Sequence, residues 1–371
     1  MTQAILTLNA GSSSLKFQAF AVDDLSVLLA GKVTGIGGDA KLALSVPEDA
    51  APAQPMGGDH HAALAAVLDC IDRHDDDWQV TAIAHRIVHG GTSFAAPVAI
   101  DDDVMAALAE LVPLAPLHQP HNLEAVEASR ALLPDALDIA CFDTGFHAGQ
   151  DPLFTTMPLP QRLRDEGFRR YGFHGISYEW IARRLRADHP GIARGRVVAA
   201  HLGNGASMCA MVGGQSVDTS MGMTALDGLP MGTRCGAIDP GAVTMLMRRG
   251  MDAEAIDHVL YHESGLKGLS GLTNDVAALI QSNDRQAQFA LDVFALRIAQ
   301  FAGRMAVSMG GLDALVFTAG IGENAASVRD AVVARLSFLP AFQVLVIPTD
   351  EERMMAIHVK ELMAGGGACA D

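Results

Sequence analysis

Twice along this chain an apolar strand runs into a short turn of Asn, Gly and Ser and then resumes. The first passage is Ile5-Leu6-Thr7-Leu8, then Asn9-Ala10-Gly11-Ser12-Ser13-Ser14, then Leu15-Lys16-Phe17. The second is Arg196-Val197-Val198-Ala199-Ala200, then His201-Leu202-Gly203-Asn204-Gly205, then Ala206-Ser207-Met208. A third glycine turn, Gly320-Ile321-Gly322-Glu323-Asn324, follows the apolar run Ala314–Phe317. One local pattern repeated in two halves predicts a duplicated pair of domains facing each other across a cleft. The turn itself suits a phosphate. Glycine lets the backbone approach an anion, while Ser12, Ser14 and backbone N–H groups donate to it. Lys16 adds a point charge, and the Asn9 amide oxygen suits a hydrated Mg²⁺.

Length agrees with two domains: 371 residues, half of them hydrophobic, exceed one small core. Lys and Arg total 26 against 43 Asp and Glu, a formal charge of -17. Such a chain repels nucleic acid and anionic membrane, so an anionic ligand must be held by a few local cations. No cationic segment followed by an apolar stretch opens the chain. The uncharged run Val197–Val217 is broken by His201, Asn204, Gln215 and glycines, and reads as strands with turns. The five cysteines are odd in number and form no C-x-x-C pair, the pattern of reduced thiols. A cytoplasmic enzyme is the expectation.

Strand-like and amphipathic helical stretches alternate from end to end, which argues for an α/β fold. Residues 1–20 read as a β-hairpin, Val80–Ala84 and Leu137–Phe142 as buried strands, and Leu42–Asp59 as a surface excursion. Ala62–Arg73, Val104–Leu111 and Asn122–Leu133 read as helices. Domains are expected at 1–148 and 149–351, with a C-terminal helix over 352–371 joining the first. Ser177 is placed as the cap of a helix running through Leu185. Gln286–Met309 is expected to be a long helix with Phe289, Val293, Leu296, Phe301 and Met305 on one side.

Chemistry-bearing positions cluster near glycines. Arg86 lies in His85-Arg86-Ile87-Val88-His89-Gly90-Gly91 and Arg234 in Met231-Gly232-Thr233-Arg234-Cys235-Gly236. Guanidinium forks match carboxylate and phosphate oxygens bidentately. Asp143 ends an apolar strand, where an α/β protein keeps its chemistry. His174 sits among aromatics and glycines in Tyr171-Gly172-Phe173-His174-Gly175, and Asp218 and Asp275 read as capping groups. No G-x-x-x-x-G-K-[ST] occurs, which excludes a Walker loop. Gly320–Ala325 satisfies G-x-G-x-x-A, so a dinucleotide-binding dehydrogenase stands as a rival.

Taken together, these blocks, with Phe142-Asp143-Thr144, Asp218-Thr219-Ser220-Met221-Gly222 and Ser264-Gly265-Leu266, resemble the acetate kinase family in order and spacing from Asn9 to about Glu352. The resemblance implies a duplicated ribonuclease-H-like, actin-like two-domain fold and a homodimer. It also implies reversible phosphoryl transfer between ATP and acetate, giving ADP and acetyl phosphate, with Mg²⁺ or Mn²⁺ as cofactor. Under it Arg86 holds the carboxylate, Arg234 and His174 stabilise the phosphoryl in flight, and Asp143 positions the reacting group. Val88, Leu117, Phe173 and Ala225 line the substrate's methyl group, while Asn9 and Glu351 place the metal. Lys16, Ser12, Ser14, His201–Gly205, Asp275 and Gly320–Asn324 hold the nucleotide.

The chain departs from the family's pattern in a few places. Ala225 stands where the family has a proline against the methyl group, which enlarges the pocket and extends the expectation to propionate. Ala277 replaces an arginine beside the nucleoside, loosening nucleotide choice. Asp350 replaces an asparagine, and Cys235 and Ala237 replace a serine and an acidic residue. The alternatives are a kinase with propionate as its main substrate and a non-catalytic actin-like nucleotide-binding protein. A binding module has no need of Arg86, His174 and Arg234 together.

Overall fold

Strand β1 (Thr2–Gly11) carries Ala4, Ile5, Leu6, Leu8 and Ala10 and is buried along most of its length, which places it inside a sheet rather than at its edge. It pairs antiparallel with β2 (Ser14–Ala21) on one side and parallel with β6 (Trp78–Ile87) on the other. A computed structural model describes residues 2–11, 14–46, 54–56, 58–73 and 78–366. By contact the chain divides into Met1–Gly145 with Asp350–Asp371, and Phe146–Thr349. Glu351 therefore belongs to the first unit, whereas the sequence boundary set it in the second.

In the first unit the sheet continues from β2 through β3 (Val27–Thr34), β4 (Ala40–Val46) and β5 (Gln54–Met56), all antiparallel. On the other side β6 pairs parallel with β8 (Leu137–Phe142), and the short β7 (Val98–Ala99) closes that edge. The expected excursion over Leu42–Asp59 is thus corrected: residues 42–46 and 54–56 extend the sheet. Alternation of Leu42 and Leu44 with Lys41 and Ala43 was the overlooked signal. Helices His60–Asp72 and Gln119–Leu132 cover one core of Leu6, Leu8, Phe17, Leu64 and Val67. The helix Glu351–Gly366 lies against β1, β2, β6 and β8; residues 367–371 of the expected C-terminal helix fall outside the described residues.

The second unit repeats the plan. Strands β9 (Arg196–Leu202), β10 (Ala206–Val212) and β11 (Gln215–Thr219) form an antiparallel meander. Strands β12 (Ala314–Thr318) and β13 (Gln343–Val346) extend it in parallel from β9. Five strands in each unit therefore share one order: β3-β2-β1-β6-β8 in the first and β11-β10-β9-β12-β13 in the second.

Two helix readings are corrected. The helix Gly175–Asp188 starts before Ser177, because His174 takes a left-handed conformation at its N-terminus, φ 57°. The Ser177 hydroxyl bonds His201 Nδ1 and Thr349 instead of capping. The long helix spans Arg285–Met309, but its buried stripe is Leu291, Phe294, Ile298 and Met305 with alanines between them. Phe289 and Leu296 are exposed. Small alanines form much of the packed face; of the five expected residues Met305 lies on it, while Phe289 and Leu296 do not.

His147 shows how burial fixes a protonation state. Its ring is enclosed, with Nδ1 on Ser216 at 2.8 Å and Nε2 on the Phe173 carbonyl at 3.1 Å. Burial pushes its pKa down from 6.5 to about 4. The unfolded chain then binds the extra proton first, so stability is complete above pH 6.5 and falls as pH drops toward 4. The full loss for this one group is on the order of 3 kcal/mol. Melting temperatures between pH 7 and 4.5 are expected to fall less steeply in His147→Gln than in the parent; equal slopes would refute this assignment.

Candidate active site

Parallel strands β1, β6 and β8 present their carboxyl ends side by side, and each delivers one functional group there: Asn9, Arg86 and Asp143. The Arg86 guanidinium forks onto Asp143, with Nε 3.1 Å from both carboxylate oxygens and Nη2 2.6 Å from Oδ2. Its Nη1 donates to Asn9 Oδ1 at 3.0 Å. Asp143 is buried. Burial works against the arginine's charge, but Asp143 and then Glu351 more than offset it and hold the guanidinium above its ordinary pKa. Three of five N–H groups are engaged this way, and among the described residues no partner takes the remaining one on each Nη.

Helix Gln119–Leu132 fixes these strand ends from behind. Asn122 accepts from the Val88 backbone N–H and donates to the Ala10 carbonyl, linking the ends of the strands that carry Arg86 and Asn9. Gln119 brackets His89 through both its backbone N–H and its carbonyl. Thr144 accepts from Gly90 N–H at 3.0 Å, joining the Arg86 loop to the Asp143 loop. Val88 is buried against this frame, whereas Leu117 is exposed.

Carboxylates and a lysine complete this unit's site. Burial raises the pKa of Glu351, and Asp143 adds to the rise while Arg86 and Lys16 oppose it. Glu352 is also raised, by burial and then by Glu351, with Lys16 again opposing. Lys16 lies directly across from Asn9 in the β1–β2 register. Ser14 begins β2 and is half-buried; Ser12 lies outside the described residues.

In the second unit His174 heads its helix, and a hydrogen-bonded chain backs it. Its Nδ1 is 2.7 Å from Ser207 Oγ, which also meets the Tyr178 hydroxyl. The ring stacks on His201 at 4.2 Å between centroids, and Gly205 lies beside its Nε2, where a Cβ would stand at ordinary contact distance. Phe173, next to it, is buried. Sequence reasoning missed Tyr178 and Ser207. The spacing of four residues between His174 and Tyr178 on a helix was the available signal.

The Arg234 loop is clamped by its neighbours. Leu266 and Lys267 donate backbone N–H groups to Met231 and Gly232, and Ser264 donates to Thr233. This close approach requires Gly265, at φ 61°, because a Cβ would fall 2.1 Å from the Met231 carbonyl oxygen. Arg234 donates to the Ala225 carbonyl at 3.2 Å and lies over the Tyr261 ring at 5.9 Å. Gly232 donates to the Asn204 carbonyl at 2.9 Å, tying this loop to the glycine turn after β9.

Beside that turn lies a cavity of about 400 Å³ lined by Gly203, Asn204, Asp275, Gly320, Ile321 and Asn324, with Asn274, Ala277 and Ile280 among its other walls. Two of the glycine segments and Asp275 thus meet at one hollow. Asp275 also caps its own helix, accepting from Ala277. The third glycine segment is not an open turn but a short helix, Ala319–Asn324. Leu202 and Gly322 are buried beside the hollow rather than in its lining, and the Glu323 carboxylate accepts from the Thr349 N–H at 3.0 Å. Asn274, missed in the sequence, donates to Asn204 Oδ1 at 2.9 Å.

Residues 4–356 match the model of the acetokinase family. The acetate kinase of Methylocella silvestris is 42% identical, with 98% of each chain aligned. That of Nitrobacter hamburgensis is 43% identical over 97% of this chain and 96% of its own. Among solved structures, Porphyromonas gingivalis acetate kinase superposes with a TM-score of 0.87 at 33% identity, covering 97% of this chain and 100% of that one. A propionate kinase from Francisella tularensis subsp. tularensis gives 0.89 at 32% identity, covering 96% and 98%. The dinucleotide-binding alternative falls away, and the chain belongs to the acetokinase family.

Proposed function

We propose that this chain transfers the γ-phosphoryl group of ATP to acetate, reversibly, giving acetyl phosphate and ADP, as a Mg²⁺-dependent cytoplasmic homodimer. The observation that carries the reading is the Arg86 guanidinium, anchored on Asp143 and Asn9 with, among the described residues, one N–H on each Nη left over. That remaining pair matches the two oxygens of a carboxylate. Acetate is ionised at neutral pH and attacks without a general base. The barrier lies in bringing two anions together and stabilising the charge between them.

Arg234 is assigned to the oxygens of the phosphoryl group in transit. His174, held through Nδ1 by Ser207 and behind it Tyr178, is assigned as a second donor to those oxygens through Nε2. The 400 Å³ hollow is assigned to the nucleoside, a volume in the usual range for small ligands. Lys16 and Ser14 are assigned to its phosphates.

The metal assignment rests on donor chemistry. Asn9 and Glu351 offer oxygen alone, as Mg²⁺ requires and Mn²⁺ accepts. A divalent cation there would neutralise phosphate charge. Glu351 and Glu352, whose pKa values are raised by burial, destabilise the fold as pH rises above the ordinary carboxylate range. Mg²⁺ is therefore expected to raise the melting temperature more at pH 7.5 than at pH 4.5. Glu351→Gln is expected to stabilise the metal-free protein at pH 7.5 and to shrink the Mg²⁺ effect; an unchanged Mg²⁺ response would remove Glu351 from the metal. The homodimer is supported by exposed apolar side chains in the second unit, Phe289 and Leu296 on one helix and Met245 and Met247 on another.

The direct test is acyl phosphate formation, trapped as hydroxamate, from ATP, Mg²⁺ and either acetate or propionate. Acetate turnover is expected, with propionate used nearly as well because Ala225 replaces the family's proline. Arg86→Lys and Arg234→Lys are each expected to lower kcat/KM on the order of 100-fold or more without loss of folded structure. Absence of hydroxamate from either acid would sink the activity, and a propionate efficiency far below that of acetate would sink the role of Ala225.

A further inference from the structure

The geometry points to a second metal site in the first unit, for a borderline transition ion of the Zn²⁺, Co²⁺ or Ni²⁺ class, formed by His60, His121 and Glu124. It is separate from the proposed Mg²⁺ donors and independent of the kinase reading. His60 opens the helix His60–Asp72, and His121 and Glu124 lie three residues apart on the facing helix Gln119–Leu132. One ligand atom from each falls within 4.8 Å of the other two. Glu124 Oε2 is 3.1 Å from His121 Nδ1 and 3.4 Å from His60 Nδ1. Neighbouring donors on a tetrahedral zinc lie roughly 3.4 Å apart, given bonds of about 2.1 Å. The three atoms therefore need to move only slightly to share an ion.

The decisive detail is the other nitrogen of His60. This ring is buried, and its Nε2 lies 2.7 Å from the Gly11 carbonyl oxygen. A carbonyl only accepts, so Nε2 carries the proton and Nδ1 keeps its lone pair facing His121 and Glu124. That carbonyl–imidazole arrangement is how ligating histidines are oriented in metal sites. The stacked His60 and His121 rings, 4.9 Å apart, further limit rotation. A hollow of about 300 Å³, lined by Asp59, His60, His61, Glu124, Glu127 and Ala128, gives access and room for water ligands. Two imidazoles and one carboxylate favour zinc-like ions over Mg²⁺. None of the lining residues is a cysteine.

Titrating the full-length, chelator-stripped chain with Co²⁺ tests the site. Saturation at one equivalent is expected, with visible d–d bands, no thiolate charge-transfer absorption, displacement by Zn²⁺ and resistance to excess Mg²⁺. His121→Ala and Glu124→Gln are expected to weaken binding tenfold or more while leaving Mg²⁺-supported turnover and circular dichroism unchanged. His258→Ala, at the exposed His258–Glu263 pair, is the control and should bind as the parent does. No saturable binding, a thiolate signature, or affinity lost in His258→Ala but kept in both site variants would each overturn the proposal.

Discussion

The forked ion pair between Arg86 and Asp143 is the contact on which the first unit's site depends. Asp143 is buried and Arg86 nearly so, and a charge removed from water in this way persists only with a partner. Removing either partner leaves an uncompensated charge inside the fold, at a cost of roughly 3–5 kcal/mol. The pair also has a mechanical effect. Arg86 ends β6, Asp143 follows β8 and Asn9 ends β1, so one guanidinium cross-links three adjacent parallel strands at the edge where a ligand would arrive.

That edge is where chemistry belongs in such a sheet. Strand order reverses beside β1, with the meander leaving to one side and the parallel strands to the other, so the loops beyond the strand ends splay apart and leave room. The second unit makes the same arrangement from a different sequence. The glycine turn follows β9, the short helix Ala319–Asn324 follows β12, and Thr349 lies just beyond β13. Each unit then uses a helix or loop to fix these ends: Asn122 and Gln119 in the first, Ser264–Lys267 in the second.

The duplicated plan was legible because turn chemistry and apolar runs repeat, and most strands and helices follow from periodicity. Motif residues were legible because glycine, arginine and histidine in close company are seldom demanded by packing alone. Three kinds of feature were not. The packed face of Arg285–Met309 is built of alanines, which hydropathy does not separate from exposed Phe289 and Leu296. The β4–β5 extension lay in an Ala- and Pro-rich stretch whose strand character depends on a neighbour already in place. Partners from distant sequence, such as Ser207 behind His174 or Asn274 on Asn204, exist only once the chain has folded. His60 and His121 belong to this last kind, since sixty residues separate two rings that stack.

The two arginines face their task in different electrostatic settings. Arg86 is matched by Asp143, so that locality is close to neutral before a ligand arrives, with Glu351 and Glu352 adding negative character. Under the proposed role such a site would orient a monoanion without trapping it, which leaves a reason for a divalent cation nearby. Arg234 instead lies against the Ala225 carbonyl and the Tyr261 ring. In the proposed reaction a phosphoryl group in transit carries more charge than a carboxylate and gains more from a guanidinium beside it. In a chain with 17 more acidic than basic charges, the whole surface opposes both reactants. Under the proposed roles binding then comes from these few fixed cations, so replacing either by a flexible ammonium removes the forked charge geometry and the anchoring that keeps it in place.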